Sequence, residues 1–288
     1  MKPIKFKNLI YGAVALGILG VSCENEKTPE ALDTTQLQAT DLTAVQQMDQ
    51  TQWATEEVLN LAEEVYQLEA LSLEGKSVLN SGFLPDCAII TTEIKGNLIE
   101  KTIDFGAGCE SPNGNLLKGV VVISIERDLR EGRRHIDLFL EDFSFNEMDI
   151  EGSATQVRMR SGDSANPEAV INSDFTATWP DGEQATWRGE RSREWIEGYG
   201  SGFWGNHVFL ITGSQTFSNR RGITYNRTVL EPLRRELACR FVVSGTLQVS
   251  REGWNGVLNF GDGSCDSRGE LQLPNGQVKE VTLRRIRP

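Results

Sequence analysis

The chain has 288 residues, with 29 Lys and Arg against 41 Asp and Glu, a formal net charge of −12. An acidic field of that size disfavours nucleic-acid backbones and anionic lipid surfaces as partners. Hydrophobic residues make up 39%, enough for a core, and the length suits one large domain or two small ones.

Lys2, Lys5 and Lys7 precede an uncharged apolar run from Leu9 to Val21. As a helix at ~1.5 Å per residue this run reaches about 20 Å, short of the ~30 Å hydrocarbon core, so residues 1–22 read as an export signal rather than a permanent span. Leu19-Gly20-Val21-Ser22-Cys23 resembles the lipobox of bacterial lipoproteins, with Gly20 standing where leucine is usual. The resemblance implies that Cys23 is acylated and starts the mature chain. Loss of the three leader lysines would take the net charge from −12 to about −15, so membrane attachment would fall to the lipid alone. Residues 23–40 are polar and aperiodic, as in a flexible tether. The acidic start Glu24-Asn25-Glu26 is similar to surface-export signals of Bacteroidota lipoproteins. The expected location is the outer membrane, on its periplasmic face or at the cell surface.

Residues 41–74 carry helical periodicity. Val58, Leu61, Ala62, Val65 and Leu68 recur at i, i+3, i+4, i+7 spacing, with Glu56, Glu57, Glu63 and Glu64 expected on the opposite, wet face. Leu42, Val45 and Met48 form an earlier stretch, with a break expected near 49–52, and Gly75 ends the pattern.

From residue 75 to 288 the period falls to two. β-Branched and aromatic runs at 120–126, 135–143, 175–179, 207–213, 223–230, 241–249 and 281–286 are bounded by turn residues. Three boundaries share one form: Pro112-Asn113-Gly114, Pro180-Asp181-Gly182 and Pro274-Asn275-Gly276. A three-residue loop at 180–182 pairs Phe175 with Trp187 and sorts Phe175, Ala177, Ala185 and Trp187 onto one face. The same loop at 112–114 puts Phe105, Cys109, Leu117, Val121, Ile123 and Ile125 together. At 274–276 neither register sorts the residues cleanly.

With Cys23 set aside, four cysteines remain, an even number that reads as two disulfides in an exported chain. Three connectivities are possible; matching contexts favour Cys87–Cys109 and Cys239–Cys265. Ile103-Asp104-Phe105-Gly106-Ala107-Gly108-Cys109 recurs as Leu258-Asn259-Phe260-Gly261-Asp262-Gly263-Ser264-Cys265. Each copy has a cysteine-led strand upstream and a Pro-Asn-Gly turn downstream, giving related units at 87–127 and 239–286. Ile150-Glu-Gly-Ser, Ile211-Thr-Gly-Ser and Val243-Ser-Gly-Thr form a second echo, whose glycines mark bulges or close backbone approach. Together with the Thr186–Gly198 stretch, these motifs resemble an uncharacterised group of Bacteroidota lipoproteins with repeated Cys…FGxGC hairpins. The resemblance spans most of the chain after Asp41 and implies lineage, with no activity attached. The expected fold is mainly β, an antiparallel sandwich or open half-barrel, with two disulfide-stapled hairpin units and an N-terminal helix.

Chemistry-bearing motifs are sparse. His135 and His207 have no partner constellation, no catalytic residues are assigned, and no metal or cofactor spacing is recognisable. Asp262, Ser264, Asp266 and Glu270 are oxygen-rich but lack EF-hand spacing, and turn acids are usually turn acids. Glu190, Glu194 and Glu197 lie near Trp187, Trp195 and Trp204, the ingredients of a glycosidase or sugar-binding surface. A packed Trp ladder, with the acids solvated against Arg188, Arg191 and Arg193, outweighs it. The glycine-rich loop 198–205 makes Trp195, Tyr199, Phe203 and Trp204 the candidate binding residues. The expectation is a lipid-anchored, non-enzymatic binding or structural module for glycans or another envelope protein. A hydrolase using acids of 190–197 and a lipid-handling half-barrel are the alternatives.

Overall fold

The computed structural model describes residues 34–73, 82–127, 133–160, 166–201 and 203–283. The leader, Cys23 and Gly75 lie outside these residues. Among the described residues one α-helix, α1 (Thr34–Leu73), is followed by fourteen strands, with a single 3-10 turn at Trp204–Asn206. The first seven are β1 (Ile89–Lys95), β2 (Leu98–Asp104), β3 (Cys109–Glu110), β4 (Leu116–Glu126), β5 (Arg133–Phe145), β6 (Met148–Arg160) and β7 (Pro167–Thr178). The others are β8 (Gln184–Glu197), β9 (Val208–Ser218), β10 (Thr224–Glu236), β11 (Val242–Arg251), β12 (Trp254–Asp262), β13 (Arg268–Gln272) and β14 (Val278–Thr282). They form one antiparallel meander running from β1 to β14, with the short β3 paired only to β4. The sheet is open and not a sandwich. What fills its concave side is the helix.

Enclosure by the sheet explains why α1 departs from the amphipathic reading. Every residue from Thr51 to Val65 is buried, including Glu56, Glu57, Glu63 and Glu64, which a two-sided helix would leave wet. A helix with strands around it has no solvent face to reserve for acids. The helix also starts at Thr34, inside the stretch that reads as tether, and runs unbroken through 49–52. There the Thr51 hydroxyl donates to the Gln47 and Met48 carbonyls instead of interrupting the turn.

The hairpin registers at 180–182 and 112–114 follow the sequence. Phe175 pairs with Trp187, and Trp179 N–H donates to the Glu183 carbonyl at 3.0 Å, so the loop is 180–182. Cys109 pairs with Leu117, and Phe105, Cys109, Leu117, Val121, Ile123 and Ile125 are all buried. Leu273 N–H donates to the Gln277 carbonyl, so 274–276 uses the same three-residue loop even though its flanking side chains do not segregate by polarity. A fourth loop of this form, closed by Asn219 N–H to the Ile223 carbonyl, has no proline to announce it.

Both disulfides form between the favoured partners, Cys87–Cys109 and Cys239–Cys265. The related units occupy the two opposite ends of the sheet. In the second, β13 lies between β12 and β14; in the first, the long β4 pairs directly with β2 and leaves β3 as a stub.

A row of glycines bends the sheet around the helix. Gly119, Gly152, Gly189, Gly213 and Gly245 lie within β4, β6, β8, β9 and β11 and all have positive φ. Strand registers shift beside several of them, between Lys118 and Val120 and between Ser244 and Thr246. Such irregularities raise local twist and curvature. The three echo glycines share one constraint. A Cβ on Gly152, Gly213 or Gly245 would collide with the carbonyl of Asp174, Glu190 or Pro232 on the adjoining strand. Gly213→Ala should therefore destabilise the chain by about 2–4 kcal/mol, from a strained φ plus a displaced backbone. Gly222→Ala, at a turn with open space around it, should cost about 1 kcal/mol. Paired urea titrations of the two variants check the difference.

Candidate functional site

Two features stand apart from ordinary packing: the charged lock between helix and sheet, and the exposed edge at β1. The lock decides what the concave face can do. Asp41, Gln52, Glu56, Glu63 and Glu69 are spaced so that each meets a different part of the sheet. Asp41 accepts from Arg251 Nε at 2.9 Å and from the Tyr225 hydroxyl at 2.9 Å, and burial together with that bond pushes the Tyr225 phenol up. Gln52 Oε1 accepts from Arg227 at 3.5 Å, and Glu56 binds Arg235 Nε at 2.9 Å. Glu63 binds Arg158 at 3.1 Å and Glu69 binds Lys101 at 2.7 Å.

The arginines sit in the concave face because strand alternation puts them there. In β8, Ala185, Trp187, Arg191, Arg193 and Trp195 share the inward parity and are buried, while Arg188 stays outside. Arg191 and Arg193 are therefore core residues, contrary to the solvated ion pairs read from the alternating signs. Burial pulls the Arg193 guanidinium below its ordinary value against the pull of Glu56 and Glu63, and it lies 4.6 Å over the Phe209 ring.

Glu64 does a separate job. Its buried carboxylate accepts from the backbone N–H groups of Gly82, Phe83 and Leu84 at 2.7, 2.8 and 3.0 Å, fixing the strap that leads into the sheet. Phe83 then packs edge-on against Trp204.

This packing settles the aromatic candidates. Trp195 is 1% exposed and Trp204 8%, so neither is available at a loop tip. Trp195 packs on Phe209 and Tyr199, with the Arg158 guanidinium 5.0 Å over its ring. Only Tyr199 and Phe203 remain exposed. Glycine richness signals a flexible loop, but it does not show that Trp204 turns inward onto a strap more than a hundred residues earlier in the chain.

The acids near these aromatics face the convex side. Glu190 accepts from Asn172 at 3.4 Å, Glu194 from Asn166 at 2.8 Å, and Glu197 pairs with Arg234 at 3.0 Å. Glu190 and Glu194 share one strand face, about 13 Å apart along the backbone. They engage strand neighbours rather than face each other across a cleft. Asp262 accepts from Ser264 N–H and hydroxyl, the geometry of a turn acid. Among the described residues no group of three or more His, Cys, Asp or Glu is placed to hold a metal ion. His207 is buried against Trp204, and its pKa is pushed down to about 4 by burial and then by Arg193. Between α1 and strands β8 to β12 the cavity is about 30 Å³, room for one water.

Family models, curated proteins and solved structures were all searched, and none matches the chain.

The exposed feature is the β1 edge. Among the described residues β1 pairs with β2 on one side only, and all seven of its residues are exposed. Ile89 and Ile94 are each 65% exposed, Ile90 39% and Leu98 36%. These four make up the largest local share of the exposed large hydrophobics among the described residues. Ile90 lies opposite Ile103 and Ile94 opposite Ile99, both buried, so the apolar concave layer runs out to an uncovered rim. The sequence signal was present in the β-branched run Ile89-Ile-Thr-Thr-Glu-Ile-Lys95 followed by the Gly96-Asn97 turn. Exposure is what pattern alone could not supply, since a run of isoleucines reads equally as a buried strand.

The lock has two measurable consequences for stability. Glu63→Gln should cost about 3 kcal/mol because it leaves the Arg158 charge buried, whereas Glu63→Leu with Arg158→Met should recover most of that loss in chemical denaturation. The second concerns Glu57, whose pKa is raised to about 7 by burial, outweighing hydrogen bonds from Ser111, Asn113 and Asn115. The native state then keeps a proton that the unfolded chain releases, so this group favours folding below its unfolded pKa and loses that contribution as pH rises through about 7. Glu57→Gln should be more stable than wild type at pH 8, by up to about 3 kcal/mol, with the gap closing toward pH 5. His207 acts in the opposite sense, its contribution being lost as pH falls from 6.5 toward about 4. Melting of both chains across that range separates the Glu57 effect.

Proposed function

We propose that this chain is an outer-membrane lipoprotein, anchored through a lipid on Cys23, that works as a non-enzymatic binding or structural module for another envelope protein or a glycan. One observation carries the module reading: the concave face is occupied by the protein's own helix, while apolar side chains stand exposed on a strand whose outer edge has no partner among the described residues. Contiguous exposed apolar surface marks interaction sites, and an open edge offers backbone groups for a further strand. The two disulfides fit an oxidising compartment, and the lipobox-like run fits a lipid anchor. A glycan would meet Tyr199 and Phe203, the exposed aromatics of the 198–207 loop.

The alternatives have less support. Lipid handling needs an enclosed apolar cavity, and the space beside α1 is about 30 Å³. Glycoside hydrolysis needs two carboxyl groups converging on one bond, whereas Glu190, Glu194 and Glu197 are held by strand neighbours. Metabolic labelling with an alkyne fatty acid should tag the wild-type chain in the membrane fraction, and Cys23→Ala should lose both label and membrane association. Retention of the chain in membranes without label would overturn the anchor.

A further inference from the structure

We infer that the β1 edge is a self-pairing surface, where a second copy of this chain adds its own β1 antiparallel across a two-fold axis through Thr92. The inference rests on the reading of this edge as a binding surface and names the partner. Strand composition selects that partner. With Thr92 opposite Thr92 of the second copy, all seven residues of β1 overlap. Ile90 then meets Ile94, Ile94 meets Ile90, Thr91 meets Glu93 and Ile89 meets Lys95. Apolar residues on the concave face are matched with apolar ones, and no like charges oppose each other. A register centred one residue later would set Glu93 against Glu93, so the first is favoured by charge as well as by overlap.

A two-fold axis perpendicular to the sheet keeps both concave faces on one side. The layer of Ile90, Ile94, Ile99 and Ile103 therefore continues across the seam. The opposite edge is less open. Gln46 of α1 donates to the Thr282 carbonyl of β14 at 3.4 Å, so the helix covers part of that edge. A seam one short strand wide lies at the small end of interface sizes. Confinement of both copies to one membrane would raise their effective concentration enough to populate it.

The test is cysteine cross-linking of the full-length chain in cells. Thr92→Cys should give a reducible species of twice the protomer mass, and Glu183→Cys, at an exposed turn on another part of the sheet, should not. Adding Ile94→Lys, which sets a lysine against Ile90 twice per dimer, should cut the cross-link about tenfold or more. Because Thr92→Cys removes a hydrogen bond from Lys101, light scattering of the detergent-extracted natural sequence against Ile94→Lys provides a second arm. Equal cross-linking from Glu183→Cys, or a dimer indifferent to Ile94→Lys, would overturn self-pairing. A Thr92→Cys adduct of some other mass would overturn it while sustaining the edge as a binding surface. Monomer alone in both arms would remove both.

Discussion

The structure depends on pairing buried acids of one helix with arginines that point into the curve of the sheet. Moving a carboxylate or guanidinium out of water costs several kcal/mol, so neither set could be buried without the other. Glu56 with Arg235, Glu63 with Arg158 and Asp41 with Arg251 each join α1 to a different strand. Together they fix the position of the helix along the sheet as well as its rotation. Apolar contacts from Met48, Val58, Leu61 and Val65 supply adhesion, but they are poor at specifying register. The ion pairs supply that, because a one-turn slip would strand several charges at once.

The sheet must curve for this to work, and the glycine row lets it. Flat strands would present their inward arginines to solvent. Bent at Gly119, Gly152, Gly189, Gly213 and Gly245, the strands enclose α1 on every side through its middle turns. The disulfide-stapled units sit at the two ends of that curve and brace the meander where curvature gives least support. The terminal strands still differ. β14 is partly covered by Gln46, whereas the rim at β1 leaves its isoleucines in water. Enclosure of the helix and exposure of the edge are what support the proposed binding role at the perimeter.

Period and turn chemistry are local properties, and these were legible without coordinates. The mainly β architecture, the helix through 58–68 and the loops at 180–182 and 112–114 follow from neighbours within about forty residues, and both disulfide pairs and the close-approach glycines from motifs that recur along the chain. Tryptophans 195 and 204 show the other case. Their proximity to a glycine-rich loop says nothing about Phe83, which comes from a distant segment and holds Trp204 inside, or about the Arg158 guanidinium over the Trp195 ring. Arg193 likewise reads as a surface charge until a helix more than a hundred residues away supplies Glu56 and Glu63.

By itself, then, the sequence determined the mainly β class with a helix near the N-terminus, the two covalent cross-links and the registers at 112–114 and 180–182, because period and loop geometry are set by residues close in the chain. Only the tertiary structure decided which side of the helix is wet, and the answer is none through its middle turns. It also decided which apolar strand is left uncovered. Both depend on the curvature of a whole sheet, a sum of small bends across many strands that no single segment encodes.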